Sequence, residues 1–150
     1  MLRIRIKRIP QSSMTVRRNR YWSRKKMVYV LLANRRIRHH SCRHRSHILY
    51  IGTTEKGAGR PASNVASKAM KAFAEIRGVK SVDVRLLVCE KRKNLPTWEL
   101  LESALLMVHK NLYGCLPYFN KRLEGFRNIS EVGRYFSEHR LRDLLRELDD

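Results

Sequence analysis

The stretch HILYIGTTEKGAGRPASNVASKAM, residues 47–70, decides the fold because it joins two kinds of apolar periodicity across a glycine-containing loop. Its first part, 47–54, is apolar and rich in β-branched residues, which predicts a buried strand. Residues 55–59 contain two glycines and predict a loop with unusual backbone angles. In 60–78 apolar residues recur on one face at helical spacing, and Pro61 suits the first turn, so this segment predicts a helix.

Segments on both sides of this stretch complete the predicted fold. KMVYVLLA (26–33) and SVDVRLLVCEK (81–91) read as buried strands, and TWELLESALLMVHKNLYG (97–114) reads as the strongest helix. The order strand, strand, helix, strand, helix predicts an α+β fold with a small three-stranded sheet, mixed or antiparallel, flanked by helices. Two shorter helical patterns follow and would form C-terminal helices.

Three regions are expected along the chain: a basic N-terminal extension over 1–25, a compact domain over 26–121 and a C-terminal helical segment over 122–150. The last helix ends in Asp149 and Asp150. Negative charge at the C-terminus of a helix opposes the helix dipole, so the last turn is expected to fray.

The formal net charge is +20, and most of it lies at the start of the chain. Residues 1–54 contain 15 Lys or Arg and no acidic residue, since the first one is Glu55. Such a field favours an anionic partner, and nucleic acid is the commonest because each neutralised phosphate releases a counterion. The alternative is a basic segment that stays solvated. We expect a nucleic-acid partner, DNA rather than RNA.

Three cysteines, Cys42, Cys89 and Cys115, are scattered along the chain and odd in number, which argues against a disulfide framework. Free thiols indicate a cytoplasmic or other reducing compartment. Residues 1–20 are arginine-rich and lack acid, so organellar targeting is the alternative interpretation. No apolar run approaches the roughly 18 residues that a membrane span needs, and no membrane partner is expected.

Five polar residues are spread over these predicted strands and helices. Tyr29 lies in the first strand of the predicted domain and Tyr50 in the second, while Arg60 begins the following helix. Glu102 lies in the first half of the strongest helix, on the flank of its apolar stripe, where a merely solvated glutamate is less common. Asn120 follows that helix.

This arrangement resembles the GIY-YIG nuclease family over about residues 26–121. Tyr50-Ile51-Gly52 matches the YIG motif, and Met27-Val28-Tyr29 stands at the GIY motif with only its tyrosine kept. The family places an arginine about ten residues after the YIG tyrosine, then a metal-binding glutamate on a later helix, then an asparagine. Arg60, Glu102 and Asn120 follow in that order.

The resemblance implies a metal-dependent endonuclease with low sequence specificity or a preference for nucleic-acid structure. Arg60 would meet the charge of the transition state, and Glu102 would hold Mg²⁺ or Mn²⁺. Tyr29 and Tyr50 would line the pocket, with Tyr29 the expected base for the attacking water. Asn120 would fix the geometry by hydrogen bonds.

The expected substrate contacts comprise a glycine, residues of the predicted loop and helix, and the arginines of the loop between the two strands. They are Gly52, Lys56, Asn64, Lys68, Arg35, Arg36, Arg38, Arg43 and Arg45. Many members of the family carry histidine or tyrosine where this chain has Asn64, and an amide cannot act as a base. The base would therefore be Tyr29, or else Lys56 or a loop histidine, or the activity would be weak.

The same loop offers an alternative zinc site formed by the soft or borderline donors His39, His40, Cys42, His44 and His47. Their spacing matches no known zinc finger, and the interleaved arginines would repel a cation. Phosphate contact is the preferred interpretation of the loop. An alternative to the enzyme is a catalytically weak or inactive nucleic-acid-binding module on the same fold, such as a ribosome-associated protein.

Overall fold

The computed structural model describes residues 4–8, 25–39, 41–55 and 59–150. Its strands and helices in chain order are β1 (Ile6–Arg8), β2 (Met27–Ile37), β3 (Ser46–Thr54), α1 (Gly59–Glu75), β4 (Val82–Cys89), α2 (Thr97–Tyr113), α3 (Ile129–Val132) and α4 (Glu138–Asp149). The predicted α+β class is confirmed, as is the predicted succession from β2 to α2 with shorter helices after it.

The sheet is antiparallel and has the strand order β1-β4-β2-β3. The three predicted strands form it with β2 between β3 and β4, so that Tyr29 lies opposite Gly52. The structure adds β1 as a fourth strand, in which Ile6 lies opposite Cys89. The buried side chain of Ile4 belongs to the core, so part of the predicted basic extension packs with the domain.

The pairing of β2 with β3 contains a bulge that sets the direction of Tyr50. Leu31 lies opposite Tyr50, whereas the next residue, Leu32, lies opposite Ile48, so Leu49 is an extra residue in β3. A bulge places two successive side chains near one face of the sheet. Leu49 and Tyr50 accordingly pack in the same apolar cluster.

Each face of the sheet has its own apolar layer. On one face α1 packs through Val65 and Ala72 against Leu31 and Leu49. The other face carries α2, α3 and α4, and the leucines of α4 join the same core as α2. The C-terminal helical segment is therefore part of the main packing unit. Within the described ranges, no helix is both long and apolar enough to cross a membrane.

The end of α4 is anchored, and the expectation that its last turn frays is wrong. Asp149 is only 5% exposed. Its carboxylate accepts hydrogen bonds from the Ser46 hydroxyl at 3.1 Å, the Tyr113 hydroxyl at 3.0 Å and the His47 main-chain N–H. The Asp149 carbonyl also accepts from the Arg36 guanidinium at 3.2 Å. These hydrogen bonds outweigh the unfavourable interaction of the carboxylate with the helix dipole, which costs roughly 0.3–1 kcal/mol.

Cys42 and Cys115 form a disulfide, so the expectation of free thiols is wrong for this pair. The β2–β3 loop folds onto the end of α2, where the Arg43 N–H donates to the Tyr113 carbonyl at 2.7 Å, and the two cysteine Cα atoms lie 4.9 Å apart. Cys89 is a buried free cysteine, and burial raises the pKa of its thiol to about 12. The reducing compartment inferred from the cysteines stays a prediction, and the disulfide counts against it.

His109 is a buried residue of α2 that is held in its neutral form. Its Nδ1 lies 2.7 Å from the Cys115 carbonyl oxygen and donates to it, while its ring packs on Tyr113 with centroids 4.5 Å apart. Its Nε2 is buried without a hydrogen-bond partner among the described residues. Burial lowers the pKa of His109 to about 4, even though the Cys115 carbonyl and Asp149 favour the charged form.

We expect the free energy of unfolding to decrease as the pH falls from about 6.5 to about 4, because the unfolded chain protonates His109 and the folded chain excludes that proton. The stabilisation is fully present above the unfolded pKa and is lost as the pH passes the folded one. The difference corresponds to about 3 kcal/mol. Urea unfolding at several pH values measures it in the wild type and in His109→Asn, whose amide can still donate to Cys115. The variant should lack this part of the slope, and identical slopes would contradict the assignment.

Candidate active-site cleft

An open cleft lies at the β3 edge of the sheet, where α1 and α2 approach it from opposite faces. Its volume is about 770 Å³. Side chains from β3, α1, α2 and the segment after α2 line it, among them Tyr50, Lys68, Glu102, Phe119 and Asn120. The structure therefore brings four residues predicted for the site, namely Tyr50, Lys68, Glu102 and Asn120, to one concave surface.

The two predicted tyrosines are neighbours but differ in their access to the cleft. Their ring centroids lie 5.8 Å apart with the planes inclined at 45°. Tyr50 lines the cleft, whereas Tyr29 is only 1% exposed and lies behind it in the α1-side layer. This placement favours Tyr50 over Tyr29, the base expected from the sequence, as the phenol that meets a water molecule.

The absence of a side chain at Gly52 leaves space for the rings of Tyr29 and Tyr50. A Cβ atom there would lie 2.5 Å from Cε1 of Tyr50 and 2.9 Å from the phenol oxygen of Tyr29. Carbon atoms do not approach so closely, so any side chain at Gly52 would displace one ring. Gly52 was expected to let the substrate approach its backbone. In the structure, the two tyrosine rings occupy the space next to Gly52 instead.

Asn64 and Lys68 lie one turn apart on α1 and each contacts one of the tyrosines. The Asn64 amide donates a hydrogen bond of 2.7 Å to the Tyr29 hydroxyl. The Lys68 ammonium lies over the Tyr50 ring, 4.3 Å from its centroid, which is a cation–π contact. Burial, together with Lys71 and Lys121, lowers the pKa of Lys68.

Asn120 holds the exposed edge of β3. Its side-chain oxygen accepts from the Ile51 N–H at 2.9 Å, and its amide donates to the Ile51 carbonyl at 2.8 Å. The Phe119 N–H donates to the Leu49 carbonyl at 2.9 Å. An edge strand otherwise presents unpaired backbone groups, so the segment before Asn120 closes the edge and the amide fixes the strand that carries Tyr50.

Glu102 is half-buried on α2 and faces the cleft, which agrees with its predicted place on the flank of the apolar stripe. Among the described residues, no group of three or more His, Cys, Asp or Glu is arranged to hold a metal ion. A single carboxylate suits Mg²⁺ or Mn²⁺, since Mg²⁺ is commonly bound by one or two carboxylates together with water and substrate phosphates. The Glu102 carboxylate fits such an ion and would be its protein ligand.

Two predicted site residues cannot be placed. Lys56 lies outside the described residues, as does the side chain of Arg60, whose backbone forms the first turn of α1. Their predicted roles stay predictions.

The loop arginines predicted to bind substrate lie at the other end of the β2–β3 hairpin. Arg35 extends toward the Arg77 carbonyl at 3.5 Å, and Arg36 forms an ion pair with Asp150 at 3.7 Å besides its bond to α4. From Tyr29 to the end of β2 the strand runs for roughly 25 Å. The structure describes all five of these arginines, and none of them lines the cleft. They are Arg35, Arg36, Arg38, Arg43 and Arg45.

The alternative zinc site in this loop also fails in the part of the chain that is described. Cys42 is bonded to Cys115 and cannot offer a thiolate. His39 bonds Ser41 at 2.8 Å, and His47 Nδ1 lies 2.8 Å from the Ala33 carbonyl oxygen. His40 lies outside the described residues.

Sequence analysis missed several charged residues that line the cleft. Glu99 lies one turn before Glu102 on α2, and Lys121 follows Asn120 directly. Helical spacing could have identified Glu99 and adjacency could have identified Lys121. With Lys68, Lys121 gives the cleft a cationic rim beside its carboxylates.

Comparisons of the chain with protein-family models, with curated proteins and with solved structures found no match. What the cleft can do is therefore argued from its own residues.

Proposed function

We propose that the protein is a metal-dependent endonuclease, similar to the GIY-YIG nucleases, that hydrolyses phosphodiester bonds of nucleic acid in this cleft. The observation that carries the proposal is the meeting of Glu102 from α2 and Tyr50 from β3 in one cleft. A carboxylate for a hard cation, a phenol and a cationic rim are the groups that hydrolysis of a phosphodiester requires.

The residues of the cleft divide the reaction between them. Lys68 and Lys121 attract the phosphate. Tyr50 in its phenolate form accepts a proton from a water molecule while the oxygen of that water attacks phosphorus, and it later returns the proton to solvent. The new P–O bond forms while the opposite P–O bond breaks, and the leaving oxygen takes a proton from solvent. When bound at Glu102, Mg²⁺ or Mn²⁺ supplies electrostatic stabilisation of the charge that gathers on the phosphate oxygens. Asn120 keeps β3, and thereby Tyr50, in register.

The charge of the chain supports nucleic acid as the substrate. At +20, the protein attracts polyanions of any sequence, and no base-reading element is evident in the sequence. We infer low sequence specificity or selection by nucleic-acid structure, with DNA as the first substrate to test.

Nicking of supercoiled plasmid in Mg²⁺, in Mn²⁺ and in EDTA tests the proposal. The wild type should nick only with the metal, and Glu102→Gln should lower the rate by about a hundredfold, since it removes a charged ligand and keeps the shape. Glu75→Gln, at an exposed position at the end of α1, is the matched control and should nick like the wild type. Equal rates for both variants, or nicking that persists in EDTA, would refute the role of Glu102.

A nucleic-acid-binding module without activity is the second candidate, and Asn64 favours it. The amide at that position donates to the Tyr29 hydroxyl and cannot itself take a proton. In that case neither the wild type nor Glu102→Gln nicks the plasmid, while both bind it.

A further inference from the structure

A second pocket, separate from the cleft, lies between the start of β2 and the β4–α2 connection. Its volume is about 460 Å³. Four basic residues, Lys25, Lys26, Lys91 and Arg92, line it together with Trp98. We call these residues the basic pocket.

Strand pairing gathers this charge from two distant segments. Because β2 and β4 run antiparallel with Val28 opposite Leu87, the residues before β2 meet those after β4. Residues 25–26 and 90–93 together contain five basic residues and one acidic residue, Glu90. Glu90 pairs with Arg92 at 3.7 Å. Most of the remaining charge is on exposed lysines. Like charges that converge in this way repel one another, and an anion between them would relieve that repulsion.

The backbone of the basic pocket is held in an uncommon conformation. Among the described residues that are not glycine, positive φ occurs at Lys26 (67°) and Asn94 (60°), and both line this pocket. Asparagine adopts this region readily in turns, but for lysine it costs roughly 1–2 kcal/mol. Such conformations concentrate at ligand-binding sites. Here the conformation of Lys26 brings its ammonium over the Trp98 ring, 4.4 Å from the centroid.

Trp98 lines the pocket and has an unused donor. Its Nε1 is buried and has no hydrogen-bond partner among the described residues. Buried N–H groups of this kind are rare and call for an acceptor. An anion in the pocket would meet the lysine ammonium groups beside the indole.

The basic pocket lies at the same end of the sheet as the cleft. Met27, directly after Lys26, pairs with Thr54, whose neighbour Thr53 lines the cleft. Trp98 precedes Glu102 on α2 by one helical turn. A strand of nucleic acid that leaves the cleft along this end of the sheet would reach this pocket.

We propose that the basic pocket is a second phosphate-binding site, which holds the sugar-phosphate backbone of nucleic acid beside the cleft. This proposal rests on the proposed function and names a further place where the substrate binds. It requires binding alone and not hydrolysis. The ligand chemistry is a phosphodiester, and sequence plays no part in its recognition.

Binding of a short fluorescein-labelled DNA duplex in EDTA, followed by anisotropy, tests the site. The variant Lys25→Gln/Lys26→Asn/Lys91→Gln removes three charges from the pocket, and asparagine keeps the positive φ at position 26. The control Arg77→Gln/Lys80→Gln/Lys110→Gln removes three exposed charges at the other end of the sheet and of α2. Near 0.1 M salt, the pocket variant should lose about tenfold or more in affinity and its salt slope should decrease by about 2–3, against less than about 1 for the control. Equal losses in the two variants would overturn the proposal.

Trp98 supplies a local measurement. In a Trp22→Phe background it is the remaining tryptophan of two, so its fluorescence reports on the pocket alone. Adding an unlabelled duplex should change that signal in the parent and leave it unchanged in the pocket variant. If the duplex does not change the Trp98 fluorescence of the Trp22→Phe protein that keeps the three lysines, the proposal is overturned. If these results hold but the plasmid is not nicked, the site stands and the nuclease does not; if nicking depends on Glu102 but the two triple variants behave alike, the reverse is true.

Discussion

Replacing Asp149 by alanine is expected to lower the free energy of unfolding by about 3–5 kcal/mol, a large part of the roughly 5–15 kcal/mol that stabilises a typical domain. The carboxylate is the shared acceptor for the Ser46 and Tyr113 hydroxyls and for the His47 main-chain N–H. Alanine leaves these buried donors without an acceptor, and each costs about 1–3 kcal/mol unless water enters. The Tyr113 hydroxyl is already held in its protonated form, since burial and Asp149 raise the pKa of this phenol.

Asp150 offers a control at the next position. It is exposed, and its ion pair with Arg36 at 3.7 Å joins side chains that are 51% and 81% exposed. Asp150→Ala should therefore change the free energy of unfolding by less than about 1 kcal/mol. Urea denaturation followed by circular dichroism compares the two variants. If Asp149→Ala is no less stable than Asp150→Ala, the end of α4 is not anchored as described.

Most of the fold could be predicted from local sequence patterns. The apolar strands β2, β3 and β4 and the amphipathic helix α2 follow from the periodicity of their own residues, and their order limits the fold to one small sheet with helices. What escaped prediction is non-local: the pairing of Ile6 with Cys89, the Cys42–Cys115 bond and the acceptors around Asp149. Each joins positions dozens of residues apart, where spacing along the chain carries no signal.

The candidate site divides in the same way. Tyr50 and Glu102 could be chosen from their places on a strand and on the flank of a helical stripe, and the structure puts both in the cleft. The loop arginines were chosen for charge alone, and the length of the hairpin takes them away from it. Composition gives the amount of charge, but only strand register decides where it collects, as the basic pocket around Trp98 shows.

Tyr50→Phe is expected to lower the single-turnover rate of nicking by about 10²–10⁴, the usual contribution of a positioned acid or base. Tyr50 and Glu102 both line the cleft, and the Lys68 ammonium lies over the Tyr50 ring, 4.3 Å from its centroid. Phenylalanine keeps the ring and the cation–π contact, so binding and stability should change little. The loss then reports on the phenol oxygen.

Tyr29→Phe separates the two phenols. Tyr29 is 1% exposed and its hydroxyl is occupied by the Asn64 amide at 2.7 Å, so a water molecule cannot reach it without a rearrangement of α1. Removing that hydroxyl should cost about 1 kcal/mol of stability and reduce the rate by no more than about tenfold. The nicking rate of both variants, measured as a function of pH, shows which phenol is the base. Only the variant that lacks the base should lose the dependence of the rate on pH that the base gives the wild type. A larger loss in Tyr29→Phe would mean that the buried phenol takes the proton, and that the cleft must open along α1 before the phosphodiester is cut.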